Sequence, residues 1–283
     1  MTSTTNYWDN IERVKNFMNT ADAVLVGIGA GMSTAAGFTY SGERFHKYFD
    51  DFHKKYGITD MYSGGFYSFE SMEEYWAWWS RHIYYNRYDT PAGVPYVQLM
   101  NLLQDKNYFV ITTNVDHQMQ LAGVDKNRLY YMQGDYGLWQ CSEPCHQKTY
   151  DNEEQVRRMV NEQKDMKIPT ELIPHCPRCG ELMTMNLRID GTFVQDEGWY
   201  AAQNRYADFI ERYKDKKLIM LEIGVGYNTP MIIKYPFMRM AHDNIDALYV
   251  PINIEDQPIP FEIHKNTVSF NNDIQKVMND LLS

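Results

Sequence analysis

Hydrophobic positions in this chain fall into two alternating registers. Residues 8–19 place Ile11, Val14, Phe17 and Met18 on one stripe at helical spacing, which predicts an amphipathic helix. Directly after it comes the unbroken apolar run Ala23-Val24-Leu25-Val26, the pattern of a strand buried on both faces. The same reading predicts buried strands at Tyr108 to Thr112, Lys217 to Ile223 and Ala247 to Pro251. Helical patterns over 95–104, 199–213, 230–242 and 271–282 separate or follow them. Strands alternating with helices predict an α/β fold built on a doubly wound parallel sheet.

Two stretches interrupt that alternation. Residues 44–90 are helical and aromatic-rich, with Phe66, Tyr67, Phe69, Tyr75, Trp76, Trp78, Trp79, Tyr84 and Tyr85. Aromatics mostly supply buried area, so this stretch predicts a helical cap with a small core of its own. Some of its rings could also line an acceptor groove, and both readings can hold at once. The second stretch, 141–190, contains every cysteine of the chain, paired as Cys141-x3-Cys145 and Cys176-x2-Cys179. Thiolates at this spacing can close a tetrahedral zinc site, and a four-thiolate site is structural rather than catalytic. His146 and His175 neighbour the pairs, but four thiolates already complete the shell. The mixed-sign run from Glu153 to Arg158 is expected to be a solvated helix face.

Composition narrows the class. With 283 residues, 44% of them hydrophobic and 14% aromatic, the chain can bury a large core with a smaller insert, or two modest cores. A formal net charge of −10 argues against nucleic acid as the main partner, because polyphosphate binding needs concentrated Lys and Arg. The apolar runs are too short to span a bilayer, which takes roughly 20 residues, so no membrane partner is expected. Residues 1–5 carry no secretory pattern. A cytoplasmic protein is the resulting expectation, and a reducing compartment favours metal over disulfide for paired cysteines.

Candidate chemistry sits at the strand ends. Gly27-Ile28-Gly29-Ala30-Gly31-Met32-Ser33 follows the first strand and opens a helix. Gly29 and Gly31 would let the backbone approach a pyrophosphate, the helix would aim free N–H groups at it, and Ser33 could add a donor. Glycines also serve tight turns for purely steric reasons. Gly37, Tyr40 and Arg44 close behind favour the phosphate reading. After the second strand, Asn114 and Asp116 offer an amide and a carboxylate that could grip a carboxamide. Either could equally be a helix cap.

Taken in order, Gly29-Ala30-Gly31-Met32-Ser33 through Gly37, Thr112-Thr113-Asn114-Val115-Asp116, the paired cysteines, Gly224-Val225-Gly226 and Ile252-Asn253 resemble the sirtuins over nearly the whole chain. That resemblance implies a Rossmann-like domain binding NAD as substrate (1–43, 91–140 and 191–283). It also implies a smaller domain made of a helical module (44–90) and a structural zinc ribbon (141–190). It further implies that Gly29, Ala30, Gly31, Ser33, Gly37, Tyr40, Arg44, Phe45, Asn114, Asp116 and Gln133 surround the nicotinamide ribose and phosphates. Gly224, Val225, Gly226, Asn253 and Ile254 would line the adenosine side.

The departures point to one branch. Deacylating sirtuins have a histidine-glycine pair where this chain has Gln133-Gly134, a glutamine where it has Thr113, and a phenylalanine-arginine-glycine loop where it has Phe38 to Phe45. These changes resemble the macrodomain-linked sirtuins of bacteria and some fungi. For that branch the resemblance implies protein ADP-ribosylation of a lipoylated carrier related to the glycine cleavage H protein, with a macrodomain hydrolase as functional partner. Asn114, Asp116 and Gln133 would be the catalytic residues.

Gln133 is the informative substitution. In deacylation a histidine removes a proton from a ribose hydroxyl, which needs a lone pair of suitable basicity. A primary amide can donate and accept hydrogen bonds but cannot take that proton. General-base catalysis is worth roughly 10²- to 10⁴-fold, so efficient deacylation is expected to be lost while glycosidic cleavage survives. The competing readings are an NAD glycohydrolase, a weak deacylase and an inert NAD or ADP-ribose sensor.

Overall fold

The computed structural model describes residues 6–283. The chain opens with helix α1 (Tyr7–Thr20), started by Asn6, whose side chain accepts from the Trp8 amide. Strand β1 (Ala23–Ile28) follows and is buried at every position. A short helix α2 (Ala30–Ala35) leads into α3 (Glu43–Tyr56), α4 (Met61–Gly64) and α5 (Met72–Ile83). Ser71 caps α5 by accepting from the Glu74 amide, an N-cap of the usual kind. One π-helical turn (Tyr84–Tyr88) precedes α6 (Val94–Leu102) and β2 (Tyr108–Thr112). Then come α7 (Gln118–Leu121), β3 (Leu129–Tyr131), β4 (Gly134–Cys141), β5 (Tyr150–Asp151), α8 (Glu153–Glu162) and β6 (Met183–Leu187). The chain closes with α9 (Glu197–Tyr213), β7 (Leu218–Ile223), α10 (Lys234–Asp243), β8 (Leu248–Asn253), β9 (Phe270–Asn271) and α11 (Ile274–Leu282).

Six strands form one sheet in the order β3-β2-β1-β7-β8-β9, with every pairing parallel. Helices α1, α6 and α11 cover one face through Ile11, Val14, Leu99, Val277 and Leu281. Helices α9 and α10 cover the other through Trp199, Phe209 and Phe237. Burial on both faces is why β1, β2, β7 and β8 read as continuous apolar runs. Strand order reverses between β1 and β7, and ligands of such sheets bind in the crevice beyond the strand ends at that switch point.

The smaller unit is differently built. An antiparallel sheet β5-β4-β6 packs with α3, α5 and α8 around Phe45, Phe49, Phe52, Trp76, Trp78 and Trp139. The aromatic-rich stretch is helical as expected, but its core is not its own: Trp139, Val156, Met159 and Met183 from the cysteine-bearing part share it. The charged run lies on α8, where Arg157 reaches back to Glu153 one turn away, both partly exposed.

Five strands escape the apolar-run reading. β3, β5 and β9 are only three, two and two residues long. β4 and β6 carry polar and charged side chains that find partners inside, such as Asn186 Nδ2 on Gln140 Oε1 at 2.7 Å. The helix expected over 230–242 begins at Lys234. That lysine is fully buried against Glu222, which also accepts from Tyr249 Oη at 2.7 Å.

Candidate active site

The turns after β1 and β7 meet backbone to backbone. Gly31 N donates to Gly224 O at 2.8 Å, and Met32 N to Gly29 O at 3.1 Å. A Cβ on Gly29 would sit 2.6 Å from Gly224 O, and one on Gly31 2.7 Å from Gly224 Cα. The glycines therefore permit a close approach between two loops as well as open space for a ligand, and two of the amides expected to face a phosphate are engaged within the protein. Gly224 itself has φ 64°, a left-handed conformation suited to glycine.

A polar network occupies the carboxyl ends of β1 and β2. Asn114 Nδ2 donates to Gly29 O, Ser33 Oγ and Tyr96 Oη, each at 3.0 Å. A carbonyl can only accept, so the Gly29 contact fixes the orientation of the amide. Ser33 Oγ donates to Asp116 Oδ2 at 2.5 Å and lies 2.8 Å from Tyr96 Oη. Asp116 Oδ1 accepts from the Gln118 amide at 3.2 Å, so the carboxylate both satisfies the first amide of α7 and walls the site. Burial raises the Asp116 carboxyl above its usual range, despite the opposing hydrogen bonds from Ser33 and Gln118, and nearby Asp135 adds to the rise. A second chain of hydroxyls runs from Tyr40 to Tyr136 (2.7 Å) and on to His82 Nε2 (2.9 Å). Burial pushes Tyr40 up to about 12 and His82 down to about 3, so both are neutral at pH 7.

These groups border two connected spaces. A cavity of about 360 Å³ is lined by Ser33, Phe38, Tyr40, Asn114, Asp116 and Tyr136, among others. A groove of about 620 Å³ is lined by Gly29, Gly31, Gln133, Arg188, Gly224 and Asn253, among others. Ala30, Tyr62, Thr113, Asn114 and Val115 border both. A larger depression of about 680 Å³ lies around Lys106 and Arg128 at the other end of β2. It lacks the convergent buried polar groups that mark a site.

The sequence-expected residues divide accordingly. Ala30, Ser33, Tyr40, Asn114 and Asp116 line the cavity; Gly29, Gly31, Gln133, Gly224, Val225, Gly226, Asn253 and Ile254 line the groove. Three lie elsewhere. Phe45 is completely buried in the aromatic core of the smaller unit. Gly37, with φ 86°, ends α2 and borders neither space. Arg44 donates to Thr39 O (3.1 Å), Asn86 Oδ1 (2.8 Å) and Tyr85 O (2.7 Å). It orders the loop from beneath and does not face the cavity. Tyr62 and Phe66 of the helical module and Arg188 after β6 also face the groove. Of Tyr62 and Phe66, only Phe66 is among the aromatics that the sequence pattern marks, because an isolated exposed ring carries no periodic signal.

The four Sγ atoms of Cys141, Cys145, Cys176 and Cys179 all lie within 4.8 Å of one another, with Cys141–Cys179 at 3.5 Å and Cys145–Cys176 at 3.7 Å. Tetrahedral zinc with Zn–S bonds of about 2.3 Å places its sulfurs roughly 3.8 Å apart, so the donor set fits a structural zinc ion. His146 contacts Cys145 Sγ and Tyr150 Oη, and His175 contacts Gly180 O, so each histidine has another partner. Among the described residues no helix is long and apolar enough to cross a membrane.

A parallel sheet with a glycine turn at its switch point, a helical module and a four-cysteine ribbon define a sirtuin-type architecture. The Sir2 family matches residues 29–210, and the chain belongs to that family, whose enzymes use NAD as substrate. A protein ADP-ribosyltransferase of Staphylococcus aureus (strain Mu50) is 41% identical over 272 residues, covering 96% of this chain and 86% of the relative. A probable bifunctional ADP-ribose hydrolase/ADP-ribosyltransferase of Fusarium oxysporum f. sp. cubense is 32% identical, covering 80% of this chain and 39% of that one. Among solved structures, Sir2Tm bound to a propionylated peptide aligns with TM-score 0.60 and 18% identity over 95% of both chains. At that identity the likeness concerns the fold.

Proposed function

We propose that this chain is an NAD-dependent protein ADP-ribosyltransferase, which cleaves the nicotinamide–ribose bond and passes ADP-ribose to a protein acceptor. The observation that carries the reading is Gln133, an amide bordering the groove beside Asn114, where deacylating sirtuins keep an imidazole. Identity of 41% to a relative named for this activity supports it.

The chemistry follows from the groups on each side. Asn114 Nδ2 is held by three partners, which leaves its Oδ1 to accept from the ribose or the carboxamide. Asp116, at the end of the 360 Å³ cavity, takes the carboxamide and steadies positive charge as nicotinamide departs. Gln133 holds ribose hydroxyls without removing their protons. Preorganised groups of this kind act where charge develops and need no rearrangement as it does so. The zinc ion, held by the four cysteines, would stabilise the ribbon alone.

The acceptor in this reading is a lipoylated carrier protein, with a macrodomain hydrolase reversing the modification. The fungal relative, whose name pairs hydrolase with transferase, supports that partnership. Adenylate-labelled NAD tests the proposal when supplied with purified protein and a lipoylated carrier. Label fixed on protein is expected; free ADP-ribose alone would indicate a glycohydrolase, and O-acyl-ADP-ribose a deacylase.

A further inference from the structure

The two turns that carry the proposed catalytic groups, 113–117 and 133–135, are joined by a buried carboxylate. Asp135, two residues beyond Gln133, is 4% exposed. Its Oδ2 accepts from His117 Nδ1. Its Oδ1 accepts from Arg87 Nε at 3.0 Å and from the Gly137 amide at 2.7 Å. These donors come from three places: the turn after β2, the π-helical turn closing the helical module, and β4. A main-chain bond from Tyr136 N to Val115 O (2.9 Å) runs alongside. The junction is tight, since a Cβ on Gly137 would lie 3.0 Å from Asp135 Oδ1 and 3.1 Å from Arg87 Nε.

His117 has φ 64°, uncommon for a residue other than glycine and sustained only where surroundings over-determine it. It directly follows Asp116, so its anchored imidazole sets the path of the turn bearing Asn114 and Asp116. Burial alone would raise the Asp135 carboxyl, but His117, Arg87 and the Gly137 amide hold it below its usual range. None of His117, Asp135 or Arg87 borders the cavity or the groove.

We propose that Asp135, with His117 and Arg87, is a positioning clasp that fixes the separation between the Asn114–Asp116 turn and Gln133. The inference rests on the site assignment given under the proposed function. A misplacement of about 1 Å can lower a rate by roughly 10²-fold, which is the scale expected here.

The test uses full-length D135N, H117N and Q133A, with the D135N/Q133A double variant. H117N is the gentler probe, because asparagine tolerates the left-handed region and the side chain is 26% exposed. Expected is a loss of roughly 10²-fold in kcat for nicotinamide release in D135N and H117N, with KM for NAD changed less than about threefold. D135N should add little in the Q133A background, because both act through one geometry. Hydrogen exchange in 113–117 and 133–137 should rise in both clasp variants while the sheet stays protected. Normal kcat in both variants, effects that multiply in the double variant, or unchanged exchange in these segments would each overturn the clasp. Wild-type protein lacking nicotinamide release would instead sink the proposed function, and exchange would still decide the clasp.

Discussion

The parallel sheet and the smaller unit beside it solve burial in opposite ways. The sheet is filled by aliphatic strands such as Val24, Val26, Leu221 and Ile223, all buried. Apart from buried contacts such as that of Glu222 with Lys234 and Tyr249, its polar groups gather in turns just beyond the strand ends. The smaller unit fills its core with Phe45, Phe49, Phe52, Trp76 and Trp78 and gathers the four cysteine sulfurs in one cluster. It contributes walls, through Tyr40, Tyr62 and Tyr136 around the cavity. The difference teaches that the proposed cleavage chemistry is carried by the sheet's turns, while the smaller unit supplies side chains that shape the cavity beside them. Damage to each should have its own signature.

Asn114→Ala should give the largest effect. Removing one preorganised donor or acceptor typically costs 10²- to 10³-fold, and Asn114 organises Ser33, Tyr96 and Gly29 as well. Nicotinamide release should fall roughly 10³-fold while circular dichroism shows an intact fold. Turnover persisting in that variant would remove Asn114 from the mechanism.

Metal removal should strike the other region. Chelation, or Cys176→Ser, should release zinc and loosen the ribbon, because structural zinc binding is coupled to folding. Calorimetry should then resolve a separate low-temperature transition, with protection of the parallel sheet against hydrogen exchange retained. Loss of both regions in one cooperative step would show that the ribbon is not energetically distinct.

Gln133→His restores an imidazole at the boundary between the two. Acyl-lysine hydrolysis should rise, by up to roughly 10²-fold if the new base is well placed, and transfer should fall by less. Mass spectrometry of an acylated peptide reads the first, and protein-bound label the second.

The smallest effects concern stability. Asp116 has its carboxyl raised chiefly by burial. The folded state therefore holds that proton more tightly than the unfolded chain, and stability declines as pH rises from the usual carboxylate range through the raised value. Asp135 is depressed; its contribution is present above the usual range and lost as pH falls through the depressed value. Asp116→Asn should thus raise Tm by roughly 2 °C at pH 7 while lowering activity, and Asp135→Asn should lower Tm. Thermal melts at pH 7 check both signs.

Much of the sheet was legible because burial on both faces leaves uninterrupted apolar runs, as at Tyr108–Thr112, where the expected strand and the observed one coincide. β4 was not, because its glycines and polar residues are satisfied by specific partners rather than by apolar contact. The glycine turn, Asn114, Asp116 and the cysteines announced themselves by residue type and order. Tyr96 did not, since a lone tyrosine in a helix gives no hint that its hydroxyl will meet Ser33 and Asn114. Phe45 misled in the other direction: adjacent to Arg44 in sequence, it turns inward because α3 presents its apolar face to the aromatic core.

The central claim is that an amide at position 133 permits glycosidic cleavage but not the proton removal that deacylation requires. Purified protein with NAD, a lipoylated carrier as acceptor and an acyl-lysine peptide at neutral pH tests it most directly. The account predicts nicotinamide release without measurable O-acyl-ADP-ribose. Rapid deacylation, unchanged in Gln133→Ala, would contradict it.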